Sequence, residues 1–340
     1  MTPPATNSGV FDPAVFFEER ELLKGKALTA AQLVAMAQDG FTSLGVADAL
    51  AGWTSPKVVF RGQLDASWSL TPTLVRAVTE GRIATASEAQ LCDAESRILK
   101  AARTHRAGAR SGGWLGTNMT DGELLAVLQH QETPTRFLDV TEDPLVALYF
   151  AAELEDTTDG RLFLIGLNPR TGMGKTKDAA SQQGLELDLT GVNQSTPGGL
   201  PWPVTTTRQN ASATWTNAIY LVDAGSLDPR MRAQKGKFIV GGLARAYRGY
   251  TVYSAALRRA LTAEEVLSVT SLGIGFRKTT HSQGTIGCGV DAYAWSLRVP
   301  GDLKPEIRHE LTKLGIHRDS LFPEYREFKR LAHHLAHGGR

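Results

Sequence analysis

Cysteine is nearly absent from this chain. Cys92 and Cys288 are the only two in 340 residues, and they lie far apart. Two isolated cysteines provide neither a disulfide framework nor zinc-ligand spacing, so the simplest reading is a reduced, cytoplasmic protein with no metal. Long hydrophobic runs are missing too: no apolar stretch is long enough to span a bilayer, which argues against a membrane role. The opening residues, MTPPATNSGVFDPAVFFEER, have no basic start and no apolar h-region, so no secretory signal is expected. An excess of one charge is also lacking. A net charge of +2 neither supports nor excludes nucleic acid, because a basic patch can sit within a balanced total. What is present is a globular composition, 42% hydrophobic and 21% charged, enough to bury a core in one large domain or two ordinary ones.

Pro, Thr, Ser and Gly dominate residues 1–15, which read as a loose tail. A helical lead-in over 16–55 follows. In it TAAQLVAMAQDG (29–40) has Thr29 as N-cap and Gly40 at its close, and SLGVADALAGW reads as a shorter helix. A core over 56–300 begins with PKVVFRG, a strand of Val58, Val59 and Phe60 ending at Gly62. Helices are predicted over 88–106 and 123–130, and strands at 136–140, 161–168, 218–224 and 237–242. TAEEVLSVTSLG reads as a helix and AYAWSLRVP as a late strand. Two C-terminal helices over 301–340 share one pattern, Pro305 then Gly315, and Pro323 then Gly338. Strands and helices alternate without a βαβ rhythm. That favours an α+β fold with a mixed or antiparallel central sheet and flanking helices, in a single domain over 16–340.

Some local patterns resemble sites without meeting their requirements. GMGKT (172–176) has Pro169 where a phosphate loop needs its first Gly, and it opens no good helix. It belongs to a long Gly-, Thr- and Pro-rich segment (169–210) of the kind that forms lids or mobile loops. His333 and His337 share a helix face beside His334 but have no acidic third ligand at a characteristic spacing. NQS (193–195) matters only in a secreted chain. The basic and aromatic residues of 243–259 could contact a phosphate backbone, but an ordinary solvated face is the favoured reading.

The stretch HQETPTRFLDVTEDPLVALYFA (130–151) crowds His130, Arg136, Asp139 and Thr141 at the entry to an apolar helix. Part of it needs no site: Asp143 caps that helix, Pro144 takes its first position, and Leu145, Val146, Leu148, Tyr149 and Ala152 form its buried face. Asp139 can pair with Arg61 or Arg136. Arg61 ends an apolar strand just before Gly62, which permits a sharp turn or close approach of a ligand, and its guanidinium can grip a carboxylate or phosphate.

Together these stretches resemble the FRG domain family, named for a Phe-Arg-Gly signature that Phe60, Arg61 and Gly62 match. Trp68, Leu70, Pro72, Leu74 and Arg76 match the segment behind it. Gln129-His130, Pro134-Thr135-Arg136, Leu138-Asp139, Thr141, Pro144, Ala147-Leu148 and Phe150-Ala151 match a second block. The stretches 232–238 and 314–325 look like later blocks. Gln131, Glu132, Thr133 and Val140 depart from the usual pattern. The family is mostly bacterial, in part from mobile-element and phage-defence settings, and its name alone does not give a function.

A more distant resemblance, to the ADP-ribosyltransferase core, implies NAD as substrate. By it Arg61 grips the ribose or diphosphate, Asp139 and Thr141 occupy the second motif, and Gln234 stands near the expected Glu. His130 would take the acceptor proton, and Gly62, Thr135, Thr141 and Tyr149 would border the nucleotide. The expected function is ADP-ribosyl transfer or NAD cleavage, as in a bacterial defence or toxin effector, with nucleic acid or protein as acceptor. Gln234 can hydrogen-bond a hydroxyl but supplies no charge. The rival reading is therefore a non-catalytic module that binds a nucleotide, nucleic acid or protein through the Arg61 pocket. Phosphate-ester hydrolysis by His130 and Asp139 is weaker, lacking a metal-ligand cluster.

Overall fold

The structure, a computed structural model, describes residues 11–53, 56–108, 119–154, 156–168, 186–188, 219–223, 229–243, 252–280 and 292–323. Cys288, GMGKT, NQS, the basic and aromatic residues at 244–251, His333, His334, His337 and most of the last expected helix lie outside the described residues, as does nearly all of 169–210.

The helices are α1 (Pro13–Glu18), α2 (Ala30–Gln38), α3 (Val46–Ala49), α4 (Thr73–Val78), α5 (Glu88–Gly108), α6 (Asp121–His130), α7 (Pro144–Ala152), α8 (Pro229–Ala233), α9 (Ala263–Val269), α10 (Lys304–Lys313) and α11 (Arg318–Leu321). The strands are β1 (Lys57–Gln63), β2 (Leu138–Thr141), β3 (Gly160–Leu167), β4 (Glu186–Asp188), β5 (Ile219–Asp223), β6 (Gly236–Gly241), β7 (Tyr253–Ser254), β8 (Arg259–Ala260), β9 (Ile274–Phe276) and β10 (Ala292–Val299). Eight strands form one sheet in the order β4-β5-β6-β2-β1-β3-β10-β9, and β7 with β8 forms a small ribbon. The central pairs are antiparallel, while β4 with β5 and β10 with β9 are parallel edges. The fold is α+β with a mostly antiparallel sheet.

Both faces of the sheet are covered. Leu162 and Leu164 of β3 point with Phe60, Trp295 and Leu297 into a core shared with α2, α7 and α10. Phe163, Ile165 and Leu167 alternate to the opposite face, against Phe16 and Phe17 of α1 and Val266 and Val269 of α9. Successive strand side chains point to opposite faces. The unbroken apolar run of β3 therefore follows from burial on two sides.

Several helix starts follow directly from the sequence. Thr29 and Gln32 form a capping box on α2, as do Thr120 with Glu123 on α6 and Thr262 with Glu265 on α9. Asp143 accepts the amide of Leu145, and Pro144 opens α7. Other boundaries differ from the sequence reading. A helix from Pro13, with Phe11 and Phe16 buried, occupies part of the stretch that composition marked as a tail. β1 runs through Gly62 to Gln63 instead of stopping at the glycine. The strand read from Arg136 begins at Leu138.

Gly62 owes its identity to packing. A Cβ there would collide with the carbonyl oxygen of Ala147 and lie 2.6 Å from the amide nitrogen of Ala151, so only glycine lets the α7 backbone settle on β1.

Candidate functional site

β1 pairs with β3 over seven consecutive positions, Lys57 to Gln63. With β2 it pairs, among the described residues, only where Phe60 faces Thr141. Beyond that point the two strands part, and a cavity of about 350 Å³ opens there. That volume falls in the range of small-molecule pockets, roughly 300–1,000 Å³. β1 contributes Arg61, Gly62 and Gln63; β2 contributes Asp139, Val140 and Thr141; β6 contributes Gly236 and Lys237. Gln129 and His130 enter from the last turn of α6, Phe150 and Glu153 from α7 and its end, and Arg230, Met231 and Gln234 from α8 and the turn behind it.

Arg61 bridges the split between the strands. Its Nη1 donates to the backbone carbonyl of Asp139 at 2.6 Å and lies 3.8 Å from the Asp139 carboxylate. Its Nε is buried and has no hydrogen-bond partner among the described residues. Burial lowers the Arg61 pKa and Arg76 adds to the lowering, while Asp139 opposes both. A guanidinium remains charged throughout the ordinary pH range even so. Burial likewise lowers Arg76, against the pull of the same Asp139. Asp139 is therefore the carboxylate between two arginines, with its side chain 60% exposed at the cavity wall.

The expected site residues divide into two groups. Arg61, Gly62, His130, Asp139, Thr141 and Gln234 all border the one cavity. Two of these also hold the structure together: the Thr141 hydroxyl donates to the Gln234 carbonyl at 2.7 Å, and Gln234 Nε2 donates to the Leu321 carbonyl at 3.1 Å. Gln234 is only 9% exposed. Thr135 and Tyr149 do not border the cavity. Thr135 is fully buried behind Gln129, and the buried Tyr149 points its hydroxyl toward Glu153, 3.5 Å away. Burial, reinforced by the Glu153 charge, pushes Tyr149 up to about 12.

Arg136 leaves the junction altogether. It is buried, with Nε on Glu95 at 2.8 Å, Nη1 on Glu88 at 2.6 Å and Nη2 on Cys92 Sγ at 3.2 Å. Asp139 pairs with Arg61 and not with Arg136.

Several lining residues were not read as site residues in the sequence, among them Gln129, Trp68, Arg230, Lys237 and Glu153. Trp68, 46% exposed, offers a stacking surface beside the cavity. The Arg230 guanidinium lies 4.3 Å from the Phe322 ring centre, and Lys237 pairs with Glu142 and Asp223 at 3.0 and 3.3 Å. Glu153 pairs with Arg318 at 2.9 Å. Trp68 was visible only as a position in a family pattern. Arg230 and Glu153 reach the cavity through tertiary packing alone. No group of three or more His, Cys, Asp or Glu among the described residues is placed to hold a metal.

Residues 56–160 match the FRG domain family. The match supports the family resemblance carried by Phe60-Arg61-Gly62 and by the block from Gln129 to Ala151. It contains Arg61, Gly62, His130, Asp139 and Thr141, which all reach the cavity, but neither Gln234 nor the stretches at 232–238 and 314–325. No curated protein and no solved structure matches the chain. No helix among the described residues is long and apolar enough to cross a membrane.

Proposed function

We propose that the cavity binds NAD and that the protein cleaves it, transferring ADP-ribose to an acceptor or to water. The observation that carries this reading is the meeting of Arg61, Asp139 and His130 around one cavity of nucleotide-binding size, beside the exposed Trp68. Arg61 supplies fixed positive charge for a diphosphate. Trp68 offers a face for an aromatic base or for nicotinamide.

The reaction breaks the bond between ribose C1′ and the nicotinamide nitrogen. The nitrogen keeps the electron pair, so nicotinamide leaves neutral and positive charge builds on the ribose. Asp139, at the wall, stabilises that charge. An acceptor oxygen then bonds to C1′ and gives up its proton, for which His130 is the base at hand. Asp139 takes the part that the ADP-ribosyltransferase pattern gives to a Glu near Gln234. The Gln234 amide is tied to Leu321.

That tie also favours the second reading, a non-catalytic nucleotide-binding module, since Gln234 supplies no charge. NAD consumption by the purified chain separates the two readings, with water, cell lysate and nucleic acid offered as acceptors. Turnover should fall at least about 100-fold in Asp139→Asn and in Arg61→Ala while both keep a cooperative melt. An NAD-inert wild type that still binds ADP-ribose by calorimetry overturns the enzyme reading in favour of the module.

A further inference from the structure

We propose that Gln129 is the positioning residue for Asp139, set in its orientation by Thr135. The catalytic consequence rests on the NAD reading above; the orientation does not. Hydrogen-bond polarity is set outward from the backbone. Thr135 Oγ1 accepts the Phe137 amide at 3.0 Å, and the Thr135 amide donates to Thr73 Oγ1 at 3.3 Å. The Thr135 hydroxyl proton is then directed to Gln129 Oε1, 2.6 Å away. A carboxamide whose oxygen faces a hydroxyl donor must turn its NH2 the other way, and the two ends of Gln129 are assigned by this network. On that other side Nε2 donates to both carboxylate oxygens of Asp139, at 3.1 and 3.0 Å.

The polarity of the chain is fixed at its buried end. A backbone N–H and a fully buried threonine determine which atom of Gln129 meets the cavity, and that atom is a donor. A donor there holds the Asp139 side chain between the Gln129 amide and the Arg61 guanidinium at the cavity wall. A lone carboxylate on a short strand would be free to rotate away. The arrangement also explains why Thr135, absent from the lining, belongs with the site: it acts two residues removed from the ligand.

The test is a substitution cycle on the 15N-labelled full chain, read in two ways. The first readout is the Gln129 side-chain amide pair in a proton–nitrogen spectrum, assigned by its loss in Gln129→Met. Asp139→Asn and Thr135→Val should each move it, and Thr135→Ser, which keeps the hydroxyl, should bring it back toward the wild-type position. The second readout is NAD turnover. Gln129→Met and Thr135→Val should lower kcat by roughly 10- to 100-fold with KM for NAD within about threefold, the size of one charge-assisted hydrogen bond. Thr135→Ser should recover most of what Thr135→Val loses. In an Asp139→Asn background, Gln129→Met should cost nothing more, because its effect passes through the carboxylate. An amide pair indifferent to Asp139→Asn overturns the proposal, as does a Gln129→Met loss that multiplies with that of Asp139→Asn. An NAD-inert wild type whose Gln129 amide still responds to both neighbours removes the reaction proposed above and supports the positioning role.

Discussion

Replacing Arg136 by Met should destabilise the protein by about 3–5 kcal/mol, the cost of breaking a buried ion pair from one side. Met has similar length and no charge, so the packing change is small and the electrostatic change dominates. Arg136 is 2% exposed, and the Glu95 side chain it neutralises is 0% exposed. Glu88 has a second tie, accepting the Leu243 amide at 2.6 Å, and the buried Glu95 carboxylate accepts from Arg136 Nε at 2.8 Å. Both glutamates raise the Arg136 pKa against the desolvation that would lower it. The mutant therefore leaves the buried Glu95 side chain without the guanidinium that faces it at 2.8 Å. Domain stabilities of about 5–15 kcal/mol make such a loss a large share of the whole. Urea denaturation at neutral pH measures it, with an unchanged m-value certifying that the denatured state is not the cause. Pairing Arg136→Met with Glu95→Gln should recover part of the loss, because the stranded charge is gone. A single-mutant cost below about 1 kcal/mol, or a double mutant no better than the single, would refute the reasoning.

Gly62→Ala should lose about 3 kcal/mol or more, since the new methyl meets the α7 backbone and not a movable side chain, and a thermal melt within experimental error of wild type would contradict the packing argument. Tyr149 is an acid raised to about 12 by burial and by Glu153, so its stabilisation is complete below pH ~10 and is lost as pH rises from there through the folded value; up to ~2 kcal/mol should disappear, and Tyr149→Phe should remove that part of the alkaline slope. Burial pushes Glu19 up, but hydrogen bonds from the Ala256 amide, the Ser254 hydroxyl and the Ala255 amide, with Arg20, hold it below the ordinary glutamate value. Its stabilisation is therefore present above the unfolded value near 4.3 and is lost as pH falls through the folded one, so Glu19→Gln should flatten the acid limb of a Tm–pH curve. Gln234→Glu should lower Tm and create no activity, because it removes the Nε2 donor and sets a carboxylate against the Leu321 carbonyl.

Much of the fold was legible because its signals are local. Thr29, Thr120, Asp143 and Pro144 start helices through bonds made within three residues, and β3 announces itself by an unbroken apolar run. The missed elements have no such signal. β9 is three residues whose strand character comes from lying parallel to β10, and α1 is six residues in a polar, Pro-bearing stretch, stabilised by burying Phe16 and Phe17 against Phe276 and Phe163. Both are made by partners more than a dozen residues away, which periodicity cannot register.

The site was legible as a set of residues but not as a division of labour. His130, Arg136 and Asp139 stand close together in sequence, yet Arg136 turns into a buried cluster with Glu88 and Glu95 while Asp139 turns to Arg61. Sequence spacing places three polar side chains at one junction; the fold decides which of them finds a counter-charge inside. Glu88 and Glu95 sit seven residues apart on α5, two turns of one face, and it is this paired acidic face that captures Arg136. With Arg136 withdrawn, Asp139 is the cavity carboxylate on the strand beside Arg61, and Gln129 holds it. The same withdrawal shifts the meaning of Gln234. Its amide, in the turn between α8 and β6, ties the wall to Leu321 and supplies no charge, so negative charge at the cavity comes from Asp139, Glu132 and Glu153.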